Sequence, residues 1–199
     1  MAISLVKGQK ISLVKESGGA SLAKISMGLG WDAAKRKPKG IIGAIFGGKQ
    51  PDSIDLDASC VLFDADKNMV DAVWFRQLKS KDGSIRHTGD NLTGDGDGDD
   101  ESIIVDLDKV PANVQALVFT VNSFRGQTFQ EVDNAFCRLV NLSDNQEIAR
   151  YTLTGGGNYT GYIMAKVYRH HGEWKMAALG EPSDGQTFND MLPQITATL

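Results

Sequence analysis

Leu56-Asp57-Ala58-Ser59-Cys60-Val61-Leu62-Phe63 and Met69-Val70-Asp71-Ala72-Val73-Trp74-Phe75, joined by Asp64-Ala65-Asp66-Lys67-Asn68, decide the fold class. Each run is short, apolar and rich in β-branched or aromatic residues. The connector is polar and built from turn formers, so the three pieces read as a β-hairpin. The same grammar recurs in both directions. Lys10 to Val14 and Leu22 to Met27 alternate apolar and polar residues with the period of a half-buried strand. Ile103 to Leu107 is a short strand. Val114 to Val121 is nearly continuous and apolar, as a central strand covered on both faces would be. Phe136 to Val140, Glu147 to Leu153, Tyr162 to Tyr168 and Trp174 to Leu179 complete about ten strands. Helical signals are few: a turn at Val110-Pro111-Ala112, a two-turn helix over Gln127 to Asn134, and a tail helix over Gln186 to Leu192 stopped by Pro193. Many short strands with few crossover helices predict an all-β chain, an antiparallel β-sandwich.

The 199 residues suit one domain spanning 1–199, with 41% hydrophobic and 23% charged residues. No apolar run approaches the ~20 residues of a membrane span, and Met1 to Lys7 lacks the pattern of a secretory leader. A cytoplasmic location is therefore expected. Cys60 and Cys137 each sit in an apolar run, as two reduced thiols packed like small hydrophobes would. Trp31, Trp74 and Trp174 read as core or sheet-face aromatics.

Charge is unevenly placed. The net charge is −4, which argues against nucleic acid as a partner. Residues 90–101 carry six carboxylates (Asp90, Asp95, Asp97, Asp99, Asp100 and Glu101) and no base; without them the chain is +2. A second acidic group comprises Asp52, Asp55, Asp57, Asp64, Asp66 and Asp71. Two carboxylates ~6 Å apart at an effective dielectric of ~20 repel by roughly 3 kcal/mol. A compact 90–101 loop therefore needs a cation, or it stays extended in water. Gly94, Gly96 and Gly98 alternate with Asp95, Asp97 and Asp99, so the backbone can curl and turn carbonyls inward. Clustered carboxylate and carbonyl oxygens suit Ca2+, which takes six to eight oxygen ligands at ~2.3–2.6 Å. An EF-hand is not expected: the loop glycine and the final Glu are missing, and no helices flank the loop. Asp55 and Asp57, two apart on a strand start, share a face and are expected to complete the site.

These residues also carry a family resemblance. Gly28-Leu29-Gly30-Trp31-Asp32, Asp55-Leu56-Asp57-Ala58-Ser59, His87-Thr88-Gly89-Asp90-Asn91-Leu92-Thr93-Gly94, and Gly98-Asp99-Asp100-Glu101 follow in the order of the motifs of the TerD family. Val105 to Pro111 and Tyr168 to Trp174 resemble later motifs of that family, so the likeness runs over nearly the whole chain. It implies a Ca2+-binding β-sandwich with no established catalytic activity. It also implies a role in resistance to tellurite and other stresses, alongside related tellurium-resistance proteins at the inner membrane surface. Carried over by residue, the ligands are Asp55, Asp57, Asp90, Asn91, Asp99, Asp100 and Glu101, with backbone oxygens near Thr93 and Gly96. Asp95 and Asp97 stand where the family's pattern is looser.

The loop insertion at 33–51 departs from the compact pattern. It carries five positive charges and no negative ones, with Lys35, Arg36, Lys37 and Lys39 preceding Ile41-Ile42-Gly43-Ala44-Ile45-Phe46. Such a stretch can dock on an anionic bilayer, at roughly 1 kcal/mol per basic residue, or pack on its own domain. Catalytic signals are sparse. His87 with Asp90 and Ser84 makes a thin acid–base set, and His170-His171 reads as a turn. A dinuclear metal-dependent hydrolase using the clustered carboxylates is the alternative function, and a calcium-dependent carbohydrate binder a third.

Overall fold

The computed structural model describes residues 2–18, 22–33, 55–89, 99–153 and 157–199, with side chains of 32 and 33 excepted. Twelve strands form among them, in two six-stranded sheets. In chain order they are β1 (Ile3–Leu5), β2 (Lys10–Ser12), β3 (Lys24–Ala33), β4 (Asp57–Phe63), β5 (Met69–Val73), β6 (Ile85–His87), β7 (Glu101–Asp106), β8 (Ala116–Asn122), β9 (Val132–Asn141), β10 (Gln146–Thr152), β11 (Gly161–His170) and β12 (Glu173–Ser183). One sheet runs β1-β10-β9-β3-β7-β6, the other β2-β12-β11-β8-β4-β5. All pairings are antiparallel except β1 with β10. The predicted antiparallel sandwich is the fold found.

Alternation assigns the two faces of each strand. On β7, Glu101, Ile103 and Val105 are buried while Ser102, Ile104 and Asp106 are half-buried. On β4, Ala58, Cys60 and Leu62 join the main core between the sheets, whereas Val61 and Phe63 join a second cluster on the outer face. That second cluster exists because α2 (Phe188–Ala197) lies on the sheet and buries Phe188, Met191 and Ile195 there. β4 and β8 are consequently buried along their whole length. This explains the continuous apolar run at Val114 to Val121. Thr187 opens α2 by donating its N–H and hydroxyl to Asp190. At the far end, Lys166 Nζ donates to the Thr198 carbonyl and Lys67 Nζ to Leu199 O at 2.9 Å, as suits a helix C-terminus.

Four local expectations are corrected. The tail helix does not stop at Pro193, which lies inside α2. Pro193 is exposed at the sixth of ten helical positions, where it removes one backbone bond, and burial of Ile195 carries the chain onward. The helix expected over Gln127 to Asn134 is a single 3-10 turn, Phe129–Glu131, because Val132 enters β9 to pair with Ala33. The strand starting at Lys10 ends at Ser12, whose hydroxyl accepts from Lys15 N–H and opens the one-turn α1 (Leu13–Glu16). β3 continues past Met27 through Gly28 and Gly30; a Cβ on Gly28 would stand 2.0 Å from Asp99 Oδ2. The short β1 and β6 carry too little pattern to read from sequence. The Asp64–Asn68 turn is as expected: Asp64 Oδ1 accepts from Asp66 N–H and Asn68 N–H at 2.9 and 2.8 Å. So is the His170-His171 turn, with His171 and Gly172 at positive φ between β11 and β12.

One contact ties the sheets at β12. Between Ile163 and Ala165 the single β11 residue Met164 opposes two of β12, Leu179 and Gly180, a bulge with Gly180 at φ +61°. A Cβ on Gly180 would lie 1.9 Å from the Tyr151 hydroxyl of β10. Gly180→Ala combines left-handed strain with overpacking and is expected to cost about 2–4 kcal/mol in urea unfolding; an unchanged midpoint would contradict this packing. Cys60 and Cys137 are free and buried in the main core. Burial pushes the Cys137 thiol up to about 12 and the Cys60 thiol up as well. Neither thiol is expected to react with a disulfide reagent in the native state, and both are expected to react in denaturant.

Candidate metal centre

The acidic residues that crowd together in sequence are sorted by the fold. Two of the upstream group serve local structure. Asp64 caps its turn, and hydrogen bonds from Asn68 hold its carboxyl below the usual range. Asp71 is buried and clamps the following loop, accepting from Gln77 Nε2 at 2.9 Å and Lys81 N–H at 2.8 Å. Asp55 and Asp57 remain at the start of β4, buried at 7% and 5% exposure.

Glu101 reaches the same pole from the other sheet. It opens β7 opposite Leu29 of β3 and is 1% exposed. Its Oε2 accepts the Ala58 N–H at 2.7 Å. The last β4–β5 pair toward this end is Cys60 with Val73, so Ala58 lies beyond the end of β5 and Glu101 takes its place in the ladder. His87 of β6 supports the carboxylate: its Nε2 stands 3.2 Å from Glu101 Oε2, both side chains being fully buried. Its Nδ1 accepts the Gly89 N–H at 3.1 Å. Nδ1 is therefore the acceptor of the ring, and Nε2 faces Glu101. Asp100 extends the β3–β7 pairing, donating its N–H to Leu29 O at 2.8 Å while its Oδ2 accepts the Trp31 N–H at 2.8 Å.

Asp99 turns elsewhere. Its Oδ1 meets Arg138 Nε at 2.6 Å, close over Gly28 on the outer face of the sheet. Arg138 Nη1 also reaches Glu147 at 3.2 Å, and Glu147 pairs with Arg150 at 2.9 Å. Arg150 and Arg138 together hold the Glu147 carboxyl below its ordinary value. On the β4 side, Asp55 Oδ2 lies 3.1 Å from Arg125 Nε, and the Asp55 N–H donates to Gln127 Oε1 at 3.3 Å. Sequence reasoning missed Arg125, Arg138 and the supporting role of His87. Arg125 and Arg138 are brought to their partners by sheet register, which leaves no local signal.

Of the predicted ligands, Asp55, Asp57, Asp100 and Glu101 are thus brought to adjoining strand starts, and Asp99 is ion-paired away from them. Asp90, Asn91, Thr93 and Gly96 lie outside the described residues, as do Asp95, Asp97 and residues 34–51 of the insertion. Among the described residues no three acidic, His or Cys side chains converge on one point. Among the described residues the donor set at the pole is carboxylate oxygen, with no thiolate, and its histidine accepts from Gly89 at Nδ1 and turns Nε2 toward Glu101. Carboxylate oxygen is the donor type a hard cation takes, and Asp55, Asp57, Asp100 and Glu101 are the side chains that would supply it. The same burial of His87 and of Ser84 leaves neither open to a substrate. No described helix is long and apolar enough to cross a membrane.

With that geometry in place, likeness to known proteins is specific. The TerD domain model matches residues 1–194. Tellurium resistance protein TerZ of Serratia marcescens is 50% identical over 197 residues, covering 99% of this chain and 98% of that one. Stress response protein SCP2 of Bacillus subtilis (strain 168) is 44% identical over 201 residues, covering 96% and 98%. Among solved structures, a homologue of telluride resistance protein TerD from Streptomyces coelicolor A3(2) shares the fold, with a TM-score of 0.64 at 18% identity, over 88% of this chain and 98% of that chain. The sandwich, the ordered motifs and these full-length similarities agree: the chain belongs to the TerD family.

Proposed function

We propose that the protein is a calcium-binding, non-catalytic stress-response module that contributes to tellurite resistance. The observation that carries this reading is the burial of three carboxylates, Asp55, Asp57 and Glu101, from two different sheets at one end of the sandwich. Among the described residues Arg125 stands 3.1 Å from Asp55, with its side chain half exposed. Buried negative charge is costly unless a countercharge accompanies it. A divalent ion is the countercharge that oxygen donors of this kind favour.

In this reading Ca2+ joins the start of β4 to the start of β7, and residues 90–98 supply further oxygens. Binding places a divalent positive charge among the acids of this pole and makes its surface less negative. The change in surface charge gates contact with related resistance proteins or with an anionic membrane surface in the cytoplasm. The names of the relatives, tellurium resistance and stress response proteins, support the biological role.

Ligand linkage gives the test. Calcium at a hundredfold excess over Kd is expected to stabilise the fold by about 2.7 kcal/mol, raising Tm by about 5–10 °C. The Asp57→Asn, Glu101→Gln double variant is expected to lose that rise while melting in chelator no lower than the parent, since two buried charges are gone. An equal calcium-induced rise in parent and variant would overturn the ligand assignment. Melting in chelator shows separately that the variant folds.

A further inference from the structure

A second site lies at the other end of the sandwich. β11 runs from Gly161, level with Asp57 through Asn122, to Tyr168. At ~3.3 Å per residue that places Tyr168 roughly 20 Å from the acidic pole. On the outer face there, Lys10 and Ser12 of β2, Lys175 of β12, and Tyr168 and His170 of β11 lie side by side. The register makes this so: Ser12 faces Lys175, Lys175 faces Tyr168, and Lys10 and Lys166 both face Ala177. Lys15 and Glu16 of α1 close one side. The result is an open cleft of about 440 Å3, a size suited to a small ligand.

Its charge is unusual for an acidic chain. Lys10, Lys15 and Lys175 make no ion pair with any described residue. The nearby Glu173 is engaged by the Ser12 hydroxyl at 3.1 Å, leaving Glu16 as the one carboxylate lining the cleft. The cations crowd one another. Lost solvent first, then Lys10 and Lys67, hold Lys166 below its ordinary value. Lost solvent, Lys175, His171 and Lys10 do the same to His170, with Glu173 acting against them. Three lysines against one lining carboxylate leave the cleft positive, which favours an anion.

We propose that this cleft binds phosphorylated small molecules. Its cations are lysines, compact point charges that take phosphate oxygens from several directions; no arginine fork lines it for a planar carboxylate. The Tyr168 hydroxyl adds a neutral donor, and the Tyr168 and His170 rings, 6.4 Å apart and edge to face, form a wall that a ligand's ring can pack on. This site is independent of the calcium reading, because it shares no residue with the acidic pole.

The test is calorimetric titration of the full chain, in chelator and at low salt, with tripolyphosphate and with ATP as separate probes. Saturable binding is expected for both. Tighter binding of ATP would add the ring wall to the phosphate contacts, and equal binding would assign the affinity to phosphate alone; either supports the site. The Lys10→Gln, Lys175→Gln variant is expected to weaken binding at least about tenfold, the worth of one charge-assisted contact. The Lys79→Gln, Lys81→Gln variant, which removes the same charge elsewhere, is expected to change it less than about twofold. Equal losses in the two variants, or no saturation by about 5 mM of either probe, would overturn the proposal.

Discussion

The hydrogen bond from Ala58 N–H to the Glu101 carboxylate joins the two sheets at the end where the acidic residues collect. It is buried and charge-assisted, and it continues the β4 ladder where β5 has ended. Without it the Ala58 N–H would be stranded inside the protein, at a cost of about 1–3 kcal/mol. The ring of His87, fixed by Gly89, holds the carboxylate from the other side. Because this bond sets β4 against β7, it also sets where Asp55, Asp57 and Asp100 fall. The geometry of the proposed cation site is thus a consequence of how the sandwich closes.

Carboxylates that look alike in sequence therefore do different work. Asp64 shapes a turn, Asp71 fastens a loop, and Asp99 joins the surface network of Arg138, Glu147 and Arg150. The buried remainder concentrates negative charge where two sheets meet. At the far end the lysines of β2 and β12 concentrate the opposite charge. The fold separates a small net charge into two poles roughly 20 Å apart, and each pole favours a ligand of opposite sign.

Much of the architecture was legible from periodicity. The β4–β5 hairpin announced itself through apolar runs and an Asx-rich turn, and β8 through an unbroken apolar stretch that only a strand covered on both faces requires. Strand ends were harder, because tertiary pairing outweighed local preference: Val132 joined β9 rather than a helix, and Pro193 was carried inside α2 by the burial of Ile195. β1 and β6, three residues each, hold too little pattern to stand out. At the candidate site the acidic residue types were plain, and the spacing of Asp55 and Asp57 placed them together. Their sorting was not legible. Whether Asp99 meets a metal or Arg138 depends on the register of β3 with β9, and the Asp55–Arg125 pair on the turn after β8. Such partners are far apart in sequence and leave no motif.

The most direct test is a crystal structure of the full chain grown with calcium. The account requires an ion bridging the starts of β4 and β7, with carboxylate oxygens from Asp55, Asp57 or Glu101 at ~2.3–2.6 Å. Density there that refines as water, with calcium absent from that pole at saturating concentration, would contradict it.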